Sequence, residues 1–232
     1  AARACVRDSG GNEQPYHPDN IIATQNLIQV CKMYKVAKVL YASTSSVYGG
    51  TPIPETGWVE DEVTGHQLNP YAYTKYCNEC QFKISGLNNV GLRFFTVYGP
   101  WGRPDMALYT FVDNIMNGKP ITVNNHGDMT RDFTYVQDII NGILLLIDET
   151  IVNNVHDIYN IGSGKSTQLL RFIELIEDNL GIKAEKIMAP MHPADVQNTL
   201  ADITKIKTLG YKPKTTVEAG ISEFVSWYKS YY

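Results

Sequence analysis

The chain has 232 residues, 44% of them hydrophobic and 19% charged, the balance of an ordinary globular protein long enough for a substantial core. A net charge of -4 argues against a general nucleic-acid binder, so an anionic ligand has to meet locally placed cations. No apolar run reaches membrane-spanning length, the cysteines (Cys5, Cys31, Cys77 and Cys80) are too scattered for a disulfide framework, and the opening "AARACVRDSGG" has no signal-peptide core, so a cytoplasmic address with no membrane partner is expected.

In chain order, "NIIATQNLIQVCKMYK" (20–35) spaces Ile21, Ile22, Leu27, Ile28 and Val30 as a helix does. "VAKVLYAS" then predicts a short buried strand ending in small polar residues, and "GGTPIPETG" a loop. Asn69-Pro70 opens a second helix through "NPYAYTKYCNEC", and "NVGLRFFTVYGP" reads as another buried strand running into a loop. This alternation predicts an α/β fold with a doubly wound parallel sheet. Farther on, "DFTYVQDIINGILLLIDE" (132–149) predicts an apolar helix and "HDIYNIGS" a strand with a glycine exit. "STQLLRFIELIEDNLG" predicts a helix started by Ser166-Thr167 and stopped by Gly181, and "VEAGISEFVSWYKSYY" an aromatic-rich closing helix.

Tyr71 and Lys75 fall four apart on one helix face, a spacing shared by ordinary surface pairs and by catalytic ones. A free tyrosine, with a pKa near 10, is a poor base at neutral pH, and a lysine ammonium one turn away favours its phenolate. The hydroxyl cluster "STSSVYG" stands at the carboxyl end of its strand, where ligands gather in open α/β sheets. Tyr71 is therefore the candidate base, Lys75 its electrostatic partner, and Thr44, or else Ser43 or Ser45, the hydroxyl that orients the substrate. Tyr73 has no lysine four residues on and is expected to pack.

Other motifs carry less. "CNEC", at Cys77 and Cys80, lacks a second ligand pair and is read as packing, and His126, His156 and His192 show no metal spacing, so no metal site is expected. "NIGSGKS" is placed like a phosphate loop, but Tyr159 stands where the first glycine is required.

The segments "YASTSSVYG", "NPYAYTK", "GLRFFTVYGPWGRPDMA", "RDFTYVQDI" and "PADV" followed by "ADITK" resemble the extended short-chain dehydrogenase/reductase family. Within it they are most similar to the NAD-dependent nucleotide-sugar epimerases/dehydratases, in particular those that epimerise UDP-glucuronate. The resemblance implies a partial Rossmann domain for NAD at 1–98 and 132–163, a smaller sugar-nucleotide domain at 99–131 and 164–232, NAD as cofactor, a UDP-sugar as partner, and a homodimer. It implies conversion of UDP-glucuronate to UDP-galacturonate through a 4-keto sugar, with Tyr71 taking the proton of the 4-hydroxyl.

Carried over by position, the resemblance makes Thr44, Tyr71 and Lys75 catalytic. It puts Asn20, Ser43, Tyr71, Lys75, Phe94 and Val97 beside the cofactor. Thr44, Ser45, Ser46, Thr96 and Arg103 fall around the sugar, Arg131 on the diphosphate and Asp195 on the uridine ribose. Two positions depart from the family pattern: Thr96 stands where Asn is frequent, and Ala194 where glycine usually precedes the acid.

Oxidising C4 of glucuronate makes a β-keto acid prone to lose CO2, so the neutral donors Thr44, Ser45, Ser46 and Thr96 are read as holding the carboxylate out of alignment. A dehydratase is expected to have an Asp–Glu pair after the hydroxyl, and "STSSVYG" has none. UDP-glucose 4-epimerisation and UDP-glucuronate decarboxylation on the same scaffold are the enzymatic alternatives. The glycine-rich fingerprint that lets backbone approach a pyrophosphate is absent from this sequence. The expectation is a fragment preceded by roughly 70–90 residues, at about 30 per strand–helix–strand unit; the alternative is a truncated remnant that binds a sugar nucleotide without chemistry.

Overall fold

The computed structural model describes residues 2–9, 11, 13–62, 65–148 and 156–232. The described strands are β1 (Val39–Thr44), β2 (Asn89–Phe94), β3 (Thr96–Tyr98), β4 (Ile121–Val123), β5 (Thr130–Arg131), β6 (Phe133–Tyr135), β7 (His156–Ile161), β8 (Thr167–Gln168) and β9 (Lys186–Met188). The α-helices are α1 (Val6–Ser9), α2 (Ala23–Met33), α3 (Pro70–Lys83), α4 (Ala107–Met116), α5 (Val136–Ile147), α6 (Leu169–Leu180), α7 (Thr204–Lys207) and α8 (Val217–Tyr231). The apolar helix expected over 132–149 is α5, which begins only at Val136, because Phe133–Tyr135 are drawn into strand β6 against β3, and stops at Ile147; Glu149 itself lies outside the described residues.

The main sheet is parallel, ordered β1–β2–β7, and its register puts Thr44, Phe94 and Ile161 side by side at the carboxyl ends of their strands. β3 pairs in parallel with β6, β4 with β9, and β5 antiparallel with β8. Helix α3 packs on β1 and on α2, which brings the Tyr71 end of α3 to the sheet's carboxyl edge. Its start follows from local chemistry. Asn69 is extended, its side-chain oxygen accepts from the Ala72 amide at 2.9 Å, and Pro70 needs no donor in the first turn.

Two large apolar clusters form the interior. One joins Val47, Tyr48, Trp58, Val90, Leu92, Phe95, Ile139, Tyr159 and Ile161 around the sheet, and it also takes Ala201, Ile203, Ile206 and Tyr211. That last stretch, assigned from sequence to the sugar-nucleotide unit, thus packs with the sheet. The other unites Tyr98, α4, Ile121, Val123, Phe133, α6 and α8. Sequence pattern located α2, α5, α6 and α8, and Asn69-Pro70 located α3; α4, β6 and the short β4–β9 pair were not anticipated. Gly181 ends α6 in the left-handed region as expected, whereas Thr167 belongs to β8 and Gln168 precedes the helix with no side-chain cap.

Candidate active site

Tyr71 sits in the first turn of α3, where its amide donates to the hydroxyl of the buried Ser9 at 3.2 Å. The Thr44 hydroxyl acts on its phenol in the direction that favours the phenolate. Burial pushes the phenol's pKa up; the Thr44 hydrogen bond and the charge of Arg103 pull the other way, and burial wins. Thr44 ends β1 and also meets Ser46, accepting from the Ser46 amide at 3.2 Å and lying 3.2 Å from its hydroxyl. The sequence-predicted pair of Tyr71 and Thr44 is therefore brought together.

Lys75 is 6% exposed and its ammonium donates to the Ala42 carbonyl at 2.9 Å. Desolvation holds its pKa below the ordinary lysine value. A second cation also acts on the phenol: the charge of Arg103, in the loop after β3, draws its pKa down. Arg103 is exposed and is held by Asp105, with Nε to Oδ1 at 2.9 Å. No sequence spacing links Arg103 to Tyr71, and the resemblance placed it only on the sugar.

Two expected cofactor contacts point elsewhere. Asn20 is fully buried: its Oδ1 accepts from the Arg3 amide at 2.8 Å, and its Nδ2 donates to the Arg3 carbonyl at 3.1 Å and to Thr74 Oγ1 at 2.8 Å. Its side chain staples the N-terminal segment to α3 and has no donor left for a ligand. Ser43 turns its hydroxyl into the interior, donating to Glu79 Oε1 at 2.6 Å, so Thr44 and not Ser43 is the hydroxyl that meets Tyr71. Phe94, Thr96, Val97, Ser45 and Ser46 are all half-buried along the carboxyl edge, where a ring or a sugar can reach them.

Arg131 reaches the predicted ribose loop. Its Nη1 donates to the Thr130 and Gln197 carbonyls and its Nη2 to the Val196 carbonyl, at 2.8, 2.8 and 2.7 Å, so the guanidinium lies against the segment that follows Asp195. The same loop is tied to the base helix, because Asn69 Nδ2 donates to the Ala194 carbonyl at 3.3 Å. The loop of "NIGSGKS" already holds an anion of its own: Asp132 accepts from the Ser163 and Gly164 amides at 2.8 and 3.0 Å. Gly164, at φ +68, supplies the turn that aims those amides. Tyr73 is 53% exposed and does not pack, and Cys80 is likewise exposed, against expectation. Among the described residues no cluster of three metal-ligating side chains occurs, and no helix is long and apolar enough to cross a membrane.

The donor set suits the nicotinamide-ribose portion of NAD. A buried ammonium with a single described acceptor, the Ala42 carbonyl, has donors to spare for sugar hydroxyls, and half-buried Phe94 and Val97 offer apolar surface to a ring.

Residues 1–162 match the model of the NAD dependent epimerase/dehydratase family. The chain is 44% identical to an uncharacterized protein of Methanocaldococcus jannaschii, over 98% of this chain and 70% of that one. It is 38% identical to UDP-glucuronate 4-epimerase 1 of Arabidopsis thaliana, over 100% of this chain and 58% of that one. Among solved structures it is similar to UDP-glucuronic acid 4-epimerase from Bacillus cereus in complex with UDP-glucuronic acid and NAD, with a TM-score of 0.92 and 35% identity, covering 100% of this chain and 74% of that one.

Proposed function

This chain belongs to the NAD-dependent epimerase/dehydratase family, and on that premise we propose that it epimerises a UDP-sugar at C4, converting UDP-glucuronate to UDP-galacturonate. The observation that carries the reading is the half-buried Tyr71 phenol set against the Thr44 hydroxyl at the carboxyl end of β1. Likeness to UDP-glucuronate epimerases over the full length of the chain supports the choice of sugar.

Bound NAD supplies the hydride acceptor and donor. Thr44 orients the sugar 4-hydroxyl, and Tyr71 takes its proton as C4 is oxidised, then returns a proton as C4 is reduced on the opposite face. Lys75, anchored to the Ala42 carbonyl, would hold the ribose of NAD. Ser45, Ser46 and Thr96 hold the glucuronate carboxylate so that its bond to C5 stays out of alignment with the ketone, which suppresses loss of CO2. Arg103 gives the acidic sugar its counter-charge and keeps the phenol's pKa lower than burial alone would set it. Arg131 and Asp195 hold the diphosphate and the uridine ribose. Exposed Leu27, Val30 and Met33 on α2 and exposed Tyr73 on α3, two helices that touch, support a homodimer through that helix pair.

Incubation with NAD+ and UDP-glucuronate tests the reading. UDP-galacturonate is the expected product. A UDP-pentose would identify a decarboxylase, and turnover of UDP-glucose with inertness toward the acid a neutral-sugar epimerase. Sugar-nucleotide binding with no turnover would identify a non-catalytic protein.

A further inference from the structure

Glu79 lies on α3 one turn beyond Lys75 and two beyond Tyr71, on the same face. It is 4% exposed, and both carboxylate oxygens are engaged. Oε1 accepts from Ser43 Oγ at 2.6 Å and from Arg93 Nε at 2.9 Å, and Oε2 accepts from Arg93 Nη2 at 2.8 Å. Ser43 immediately precedes Thr44 on β1, and Arg93 immediately precedes Phe94 on β2. Arg93 Nη1 continues to the Tyr48 hydroxyl at 3.0 Å and the Glu60 carbonyl at 2.6 Å. One carboxylate therefore joins α3 to the penultimate residues of two strands whose ends line the proposed site.

We propose that Glu79 is a positioning residue, clamping Ser43 and Arg93 to α3 so that the Thr44 hydroxyl is presented to the Tyr71 phenol. Glu79 touches neither the proposed substrate site nor Tyr71; its effect passes through Ser43 into the placement of Thr44. Stability alone does not account for such a group, since a buried ion pair is often no more stabilising than apolar residues of the same volume. Geometry does account for it, because a hydroxyl and a phenol that share a proton must be placed within a fraction of an ångström. The inference rests on the reading of Tyr71 as the base.

Ser43→Ala tests the clamp with a minimal change: it removes one hydrogen bond and leaves the Glu79–Arg93 pair in place. The first readout needs no ligand. Carbon-13 NMR of labelled tyrosine, with the Tyr71 signal assigned through Tyr71→Phe, gives the ionised fraction of that phenol at alkaline pH. The groups acting on it are Thr44 from β1 and Arg103, with Asp105 and Cys5 beside the arginine; Lys75, one turn on along α3, donates to the Ala42 carbonyl, and the substitution changes none of them. Loosening the Thr44 hydrogen bond, which favours phenolate, lowers the ionised fraction; Ser43→Thr restores it.

The second readout is kinetic. Ser43→Ala lowers kcat about tenfold with KM within about twofold, and the loss disappears in a Thr44→Val background, because the clamp acts through Thr44. A lower melting temperature with an unchanged Tyr71 ionised fraction would make Glu79 a purely structural group and overturn the proposal. If the parent protein turns over no UDP-sugar, the proposed function fails while the ionised-fraction comparison still decides the clamp.

Discussion

The guanidinium of Arg103, its own pKa raised mainly by the Asp105 carboxylate that holds it, draws the pKa of the Tyr71 phenol down against the upward push of burial. Arg103→Gln therefore leaves burial less opposed, and the phenol holds its proton more tightly. Because the reaction needs Tyr71 as a base, the acid limb of the kcat profile moves to higher pH. Arg103 is half exposed and its charge is screened, so the displacement is modest. High salt moves the parent's limb the same way. A limb that stays put in both experiments would separate Arg103 from the base.

Tyr71→Phe removes the proton acceptor but keeps the ring. The expected loss in kcat is about a thousandfold or more, within the range of general-base catalysis, with the UDP-sugar Kd within a few-fold of the parent. Tyr73→Phe, two residues on and 53% exposed, leaves both constants unchanged. Isothermal titration beside steady-state kinetics separates the two effects; equal loss of binding and turnover in Tyr71→Phe would make Tyr71 a packing residue.

Much of this arrangement was legible from the residues. Strand β1 begins as an apolar run, β7 leaves through a glycine, α2, α5 and α6 are periodic, and Asn69-Pro70 marks the start of α3, so much of the element order followed from pattern. Thr44 and Tyr71 were legible because a strand-end hydroxyl and a first-turn tyrosine both map to the carboxyl edge of a parallel sheet. What escaped was the direction of side chains whose partners are distant in sequence. Ser43 and Thr44 are adjacent, yet one faces Glu79, 36 residues on, and the other faces Tyr71. Asn20 was read as a ligand contact, but its partner Thr74 lies 54 residues away, and no local signal announces that bond. The short strands β4 and β9 pair across the chain with three residues each, too few for a period to show.

Asp132 is a structural hub beside Arg131. Besides the Ser163 and Gly164 amides it accepts from Ser163 Oγ at 2.7 Å, Thr134 Oγ1 at 3.0 Å and the Ala201 amide at 3.1 Å. Asp132→Asn replaces one acceptor oxygen with an amide nitrogen that faces these donors. With the residue fully buried, the expected loss is about 2–4 kcal/mol of unfolding free energy. Urea denaturation followed by circular dichroism reads it, and a midpoint unchanged from the parent would show that the donors find other partners.

Arg131 already uses its planar fork on the Val196 and Gln197 carbonyls, so a diphosphate must either share that fork or find it preset by the loop. Lysine keeps the charge but cannot hold both carbonyls and a phosphate in one plane. If Arg131 grips the nucleotide while clamping the loop, Arg131→Lys raises KM for the UDP-sugar by about tenfold, as expected for loss of a charge-assisted hydrogen bond worth roughly 1.5 kcal/mol, and changes kcat little. UDP alone weakens in parallel, since uridine and diphosphate carry the contact and the sugar does not. A role confined to the loop predicts a lower melting temperature with UDP affinity intact, and that result would remove Arg131 from the nucleotide site.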